Sequence, residues 1–158
     1  MPTPPPAWLK RVYAVPQLLY RVGLGRLAGH RFLLLTHTGR RTGAHHHAVV
    51  EVVRYTPATG EAVVLAGYGP GSDWYRNVRA GGPAWVDFGR GPRPAQARAV
   101  PADEAVLALA AYERRYGVLR PLLHRVLSAF AGFEYRGRGE VRRRAVGALP
   151  MLALTPRR

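Results

Sequence analysis

Between residues 31 and 100 glycine and proline cut the chain into short apolar runs. These runs are too short for ordinary helices and rich in valine and leucine, so they read as strands joined by tight turns. Residues 31–37 form the first strand, 38–43 a turn and 46–55 the returning strand. A second turn over 56–60 leads into a third strand, 61–66. The loop 67–71 carries glycines that supply backbone angles other residues avoid. Ser72 then reads as the N-cap, and Asp73 as a favourable first-turn acid, of a helix ending near Ala80 before Gly81-Gly82-Pro83. Strands follow at 84–88 and 95–100. Residues 149–154 read as a sixth strand, which Pro150 pushes toward a sheet edge. Consecutive strands on short turns pair antiparallel. The pattern predicts a mainly β chain with helices (α+β), built on a small closed or partly closed barrel of about six strands.

Helical spacing appears on either side of this block. In residues 7–28, Trp8, Val12, Val15, Leu19 and Val22 recur one turn apart, with Lys10, Arg11, Arg21 and Arg26 between them. Such a stretch either packs over the main fold or lies on a membrane surface, and Pro16 should kink or divide it. A helix over 102–116 carries Val106, Leu109, Ala110 and Tyr116 on its face. A second helix carries the stripe Leu119, Leu122, Leu123, Val126, Leu127, Phe130. Residues 132–144, rich in glycine and arginine, show no clear period. The proline-rich residues 1–6 read as a flexible lead-in, and 7–158 as one domain, which the length of 158 residues suits.

Charge narrows the partners. Lysine and arginine number 24 against nine acids, a formal +15, and all the basic residues but Lys10 are arginine. Arginine's planar fork suits phosphate and carboxylate, so the expected partner is polyanionic: a small molecule, nucleic acid or an anionic membrane face. Cysteine is absent, which excludes a disulfide framework, a thiolate nucleophile and a zinc ribbon. No apolar run reaches the roughly 20 residues of a membrane span, and the first residues lack the pattern of a signal peptide. The expected location is cytoplasmic, with peripheral contact at the inner membrane face as an option for residues 7–28.

Four segments carry possible chemistry. Thr38-Gly39-Arg40-Arg41-Thr42-Gly43 offers two guanidiniums, two hydroxyls and backbone donors to an anion; the same turn can equally be a solvated hairpin tip. In His45-His46-His47, strand alternation puts His45 and His47 on one face and His46 on the other. No third ligand accompanies them, so no metal is expected, and His46 is placed toward an anion near the arginine turn. Residues 67–77 bring a glycine loop to a helix start, with Trp74 able to stack on a flat ring or simply pack and Asn77 on the same face. Tyr112, Tyr116 and Tyr135 can line a pocket as proton donors or pack as core. Neither paired carboxylates nor a serine–histidine–acid set is present, which points to borrowed cofactor chemistry.

Taken together, the run from Phe32 to Gly43, Gly67-Tyr68-Gly69, and Asp73-Trp74-Tyr75-Arg76-Asn77-Val78-Arg79-Ala80 resemble the deazaflavin-dependent nitroreductase family. The resemblance extends from about residue 30 to the strand near 149–155. It implies a split β-barrel oxidoreductase using coenzyme F-420, an 8-hydroxy-5-deazaflavin with a phosphate and a glutamate tail. It places Arg40, Arg41, Thr42 and Gly43 on the phosphate and tail, and His46, His47, Ala48 and Val49 along the next strand. Leu65, Ala66, Gly67 and Tyr68, with Asp73, Trp74, Tyr75, Arg76 and Asn77, would frame the ring. Tyr112, Tyr116 and Tyr135 are the candidates for substrate contact. Members often have arginine at the place of His46, and serine and a basic residue at Gly67 and Tyr68; this chain departs there.

The resemblance implies hydride transfer from the reduced coenzyme to an activated alkene, a quinone or a nitro compound, by a homodimer. The alternatives are an FMN- or haem-binding split barrel and a basic nucleic-acid- or membrane-binding module. Nucleic acid is the poorer fit, because the strands lack the alternating aromatics on which bases stack.

Overall fold

A computed structural model describes residues 6–158, so the lead-in expected over 1–6 lies, apart from Pro6, outside the described residues. Helix α1 (Ala7–Arg21) is followed by a 3₁₀ turn (Gly25–Ala28) and then by β1 (Phe32–Thr38), β2 (His45–Thr56) and β3 (Glu61–Leu65). After α2 (Asp73–Arg79) come β4 (Ala84–Asp87), β5 (Arg93–Ala99), α3 (Ala102–Tyr116), α4 (Arg120–Ala131), α5 (Gly139–Ala148) and β6 (Met151–Pro156). The six strands close a barrel in the order β1-β2-β3-β6-β5-β4, and every pairing is antiparallel. The expected antiparallel barrel with helices between its strands is therefore the fold.

Two apolar clusters hold it. Inward-facing Leu33, Leu35, Val50, Val52, Val64, Val86, Leu152 and Leu154 fill the barrel. Outward-facing Val53, Val63, Leu65, Met151 and Ala153 pack against Leu109, Leu123, Leu127 and Ala145 of the helices. Strands β3 and β6 sit between the two clusters, so both of their faces are buried. This explains why they read as continuous apolar runs; in β1, which also carries such a run, burial alternates.

Three elements differ from the sequence expectation. Strand β6 is no edge: it lies between β3 and β5. Pro150 sits just ahead of the strand, where a missing N–H costs no ladder bond, and its carbonyl accepts from the Ala66 N–H at 2.9 Å. Helix α1 runs through Pro16 without a break and ends at Arg21, short of residue 28. Tyr20 ties it to the barrel by donating to the Phe32 carbonyl at 3.0 Å. Within the uncharted 132–144 stretch, α5 begins at Gly139; its buried side chains are only Ala145 and Val146, too few to print an apolar stripe. No described helix is long and apolar enough to cross a membrane.

Candidate functional site

The β1–β2 turn and α2 face each other across an open cleft at one end of the barrel. The turn closes on itself: the Gly39 N–H donates to the Ala44 carbonyl and the Gly43 N–H to the Gly39 carbonyl, both at 2.8 Å. The Thr42 hydroxyl accepts from the Ala44 N–H at 3.2 Å. Gly43 has φ +70°, which glycine adopts without strain. A side chain at Gly39 would stand 2.9 Å from Thr42 Oγ1 and 3.1 Å from His46 Nε2, so this position admits only glycine at the observed spacing.

Helix α2 forms the opposite wall. Ser72 holds the N-cap position as expected, but its side chain makes no cap bond; its hydroxyl donates instead to the Gly69 carbonyl at 2.8 Å and closes the preceding loop. Buried Asn77 reaches across to the turn. Its Oδ1 accepts from the Arg40 backbone N–H at 3.2 Å and from Arg40 Nη1 at 2.8 Å, and its amide nitrogen lies 3.0 Å from His37 Nδ1. Arg40 Nη1 also reaches Asp73 Oδ1 at 3.4 Å. His37 and His46 are cross-strand partners with ring centroids 5.6 Å apart. His47 takes the other face, where its Nδ1 meets the Thr36 hydroxyl at 3.0 Å. Burial holds His37 below the ordinary histidine range; His46 and His47 push the same way and Asp73 opposes them.

The cleft encloses about 640 Å³. Two arginines and three histidines border it against one carboxylate, Asp73, whose side chain is 82 % exposed. Half-buried Trp74 and exposed Tyr68 supply aromatic surface, with Tyr68 edge-on to Phe130 at 5.4 Å. This donor set suits a molecule with several negative charges and a flat ring. A second groove of about 660 Å³ runs along β4 and β5, lined by Arg98, which is committed to Glu61 and Glu104, and by Arg157. Among the described residues no three metal-ligating side chains converge.

Of the residues expected to hold a cofactor, Arg40, Arg41, Thr42, His46, His47, Ala48, Tyr68, Asp73, Trp74 and Asn77 line this one cleft. Gly43, Val49, Leu65, Ala66, Gly67, Tyr75 and Arg76 do not. Leu65, Ala66 and Tyr75 are core. Gly67 lies under the Phe130 ring, where an added Cβ would come within 3.2 Å. The lining also includes Gly39, Gly71 and Ser72, from the two segments singled out in the sequence but not assigned a cofactor contact, and His37, which sequence reasoning missed. Strand parity points to His37, which shares the inward face of Leu33 and Leu35.

The tyrosines lie elsewhere. Tyr112 and Tyr116 do share a helix face, with their hydroxyls 3.1 Å apart, but both bind Glu51 of β2. Glu51 pairs with Phe32, at the far end of β1 from the cleft. Tyr135 is buried in the helical layer beside Glu113 and Arg142, its ring edge-on to His124 at 5.3 Å. Burial raises the Tyr116 and Tyr135 hydroxyls above the ordinary tyrosine range, helped by Glu51 and Glu113 respectively, which opposes ionisation.

Residues 11–116 match the family model described as F-420H(2)-dependent quinone reductase. No curated protein matches the chain. Among solved structures it is similar to an F-420-H2 dependent reductase, at 18 % identity and TM-score 0.48, over 78 % of this chain and 93 % of that one. It is also similar to a structure described as a domain-swapped dimer, at 17 % identity and TM-score 0.50, over 92 % and 98 %. At such identities the likeness is one of fold. The family match covers more than half of the chain, including the whole cleft. The chain therefore belongs to the F-420H(2)-dependent quinone reductase family and is an F-420-dependent oxidoreductase, with the reduced deazaflavin as its cofactor.

Proposed function

We propose that the cleft between the Gly39–Gly43 turn and α2 binds coenzyme F-420, and that the enzyme reduces a small electrophilic acceptor: a quinone, an activated alkene or a nitro compound. The observation that carries this reading is the charge imbalance of the cleft, where Arg40 and Arg41 stand among lining residues whose one carboxylate is the exposed Asp73. In this reading Arg40, Arg41 and the Thr42 hydroxyl hold the phosphate and acidic tail, with His46 and His47 beside them. Trp74 lies against the ring, and Tyr68 with Phe130 walls the acceptor side. When bound, the reduced coenzyme supplies a hydride from ring carbon C5. The protein orients the acceptor and excludes water along the Trp74 wall, while solvent at the open side supplies the proton. The tyrosines on Glu51 brace α3 against the barrel. FMN has one phosphate and no acidic tail, so it would engage fewer of these cations. The working unit is a homodimer, in line with the domain-swapped dimer among structures of this fold.

Titration with oxidised F-420, followed by tryptophan quenching, tests the reading beside FMN and across salt. Saturable quenching by F-420 is expected, weakened about ten- to a hundredfold by Trp74→Ala, the range set by ring stacking on an aromatic. Binding of FMN with none of F-420 overturns it.

A further inference from the structure

We propose that His37, as a neutral imidazole with its proton on Nε2, is the positioning residue that fixes Arg40 at the cleft, acting through Asn77. Two donors of Arg40, the backbone N–H and Nη1, converge on one atom of Asn77 at 3.2 and 2.8 Å. Neither donor can accept, so that atom is the amide oxygen. The amide NH₂ then faces His37 Nδ1 at 3.0 Å. An NH₂ needs a lone pair opposite it, so Nδ1 is bare and the neutral ring carries its proton on Nε2. Both residues are only 4 % exposed, so water cannot easily replace either partner.

The groups around His37 keep it neutral. Burial disfavours a positive charge on His37 most, His46 and His47 on β2 act the same way, and Asp73 on α2 opposes them. From β4 the cross-strand neighbour is uncharged Ala84. Protonating His37 would set an Nδ1–H against the Asn77 NH₂. Turning the amide over would relieve that clash, but it would present NH₂ to both Arg40 donors. Acid therefore releases Arg40 from its tether, at a pH below that of an ordinary histidine. The effect on coenzyme affinity rests on the reading of the cleft given above; the placement of Arg40 does not.

Long-range ¹H–¹⁵N spectra of the coenzyme-free protein test the proposal. Nδ1 of His37 should be the unprotonated nitrogen near neutral pH, and the Arg40 amide signal should move on acidification with the midpoint of His37. His37→Asn puts an amide oxygen where Nδ1 stands and does not titrate, so it should keep the Arg40 signal in place into mild acid. His37→Ala should displace that signal at every pH and weaken F-420 binding about tenfold, while His37→Asn stays within about twofold. A proton on Nδ1, or an Arg40 signal indifferent to His37, overturns the proposal. Should the alanine variant not fold, the wild-type and asparagine spectra decide alone. If the wild type fails to bind F-420 while Arg40 still follows His37, the coenzyme reading falls and the positioning role stands.

Discussion

The cleft and the helical layer are built from the same side-chain types and use them in opposite ways. In the layer, Glu113 is 3 % exposed and fully engaged: Oε1 meets His124 Nε2 at 2.7 Å, and Oε2 accepts from Arg142 at 2.8 Å. Arg142 also donates to the Gly137 carbonyl at 2.6 Å. Nearby, Glu51 holds Tyr112 and Tyr116, and Arg115 donates to the Val53 carbonyl at 3.1 Å. In the cleft, Arg40 has a neutral amide and one long contact to an exposed acid, and Arg41 stands exposed. A side chain spent on an internal partner stabilises the fold. One held in place without full neutralisation can serve a ligand.

Three substitutions probe this contrast. The largest effect is expected from Glu113→Ala, which leaves Arg142 and His124 without their carboxylate. It should cost about 3–5 kcal/mol of unfolding free energy by denaturant titration, the range for breaking a buried pair. Coenzyme affinity of the folded fraction should not change; a parallel loss would show that the two regions are coupled. Next, Arg40→Ala should weaken F-420 binding about ten- to a hundredfold, the equivalent of about 1.4–2.8 kcal/mol, with little change in melting temperature. A large thermal loss with intact affinity would move Arg40 into the structural class. Smallest is Tyr116→Phe, worth about 1 kcal/mol of stability through its bond to Glu51. Its steady-state turnover should stay at the wild-type value, and a fall in kcat would return the tyrosine to the reaction.

Local signals account for what could be read before the structure. The hairpins were legible because glycine and proline mark the turns, and the Arg40 turn and α2 because their polar residues are close together in sequence. Long-range facts were not. The partner of Tyr112 and Tyr116 is Glu51, more than 60 residues away, so nothing near the tyrosines separates a structural hydroxyl from a reactive one. Pro150 looked like an edge marker because sequence does not say whether a proline falls just inside a strand or just before it. Helix α5 was hidden by Arg142, Arg143 and Arg144, which outnumber its buried side chains. His37 escaped notice because its role exists only once Asn77 stands across from it.

The position of β6 between β3 and β5 also sets an order of events. Strands β1, β2 and β3 are neighbours in sequence and can pair as soon as they are made. Closure has to wait for partners such as Ala62 and Leu154, which are distant along the chain. Contacts of that span are slow to form, because the entropy of closing the loop is lost before any burial offsets it. Until β6 arrives, the apolar edge of β3 is open to any other strand, and the window for misassembly lies in that interval.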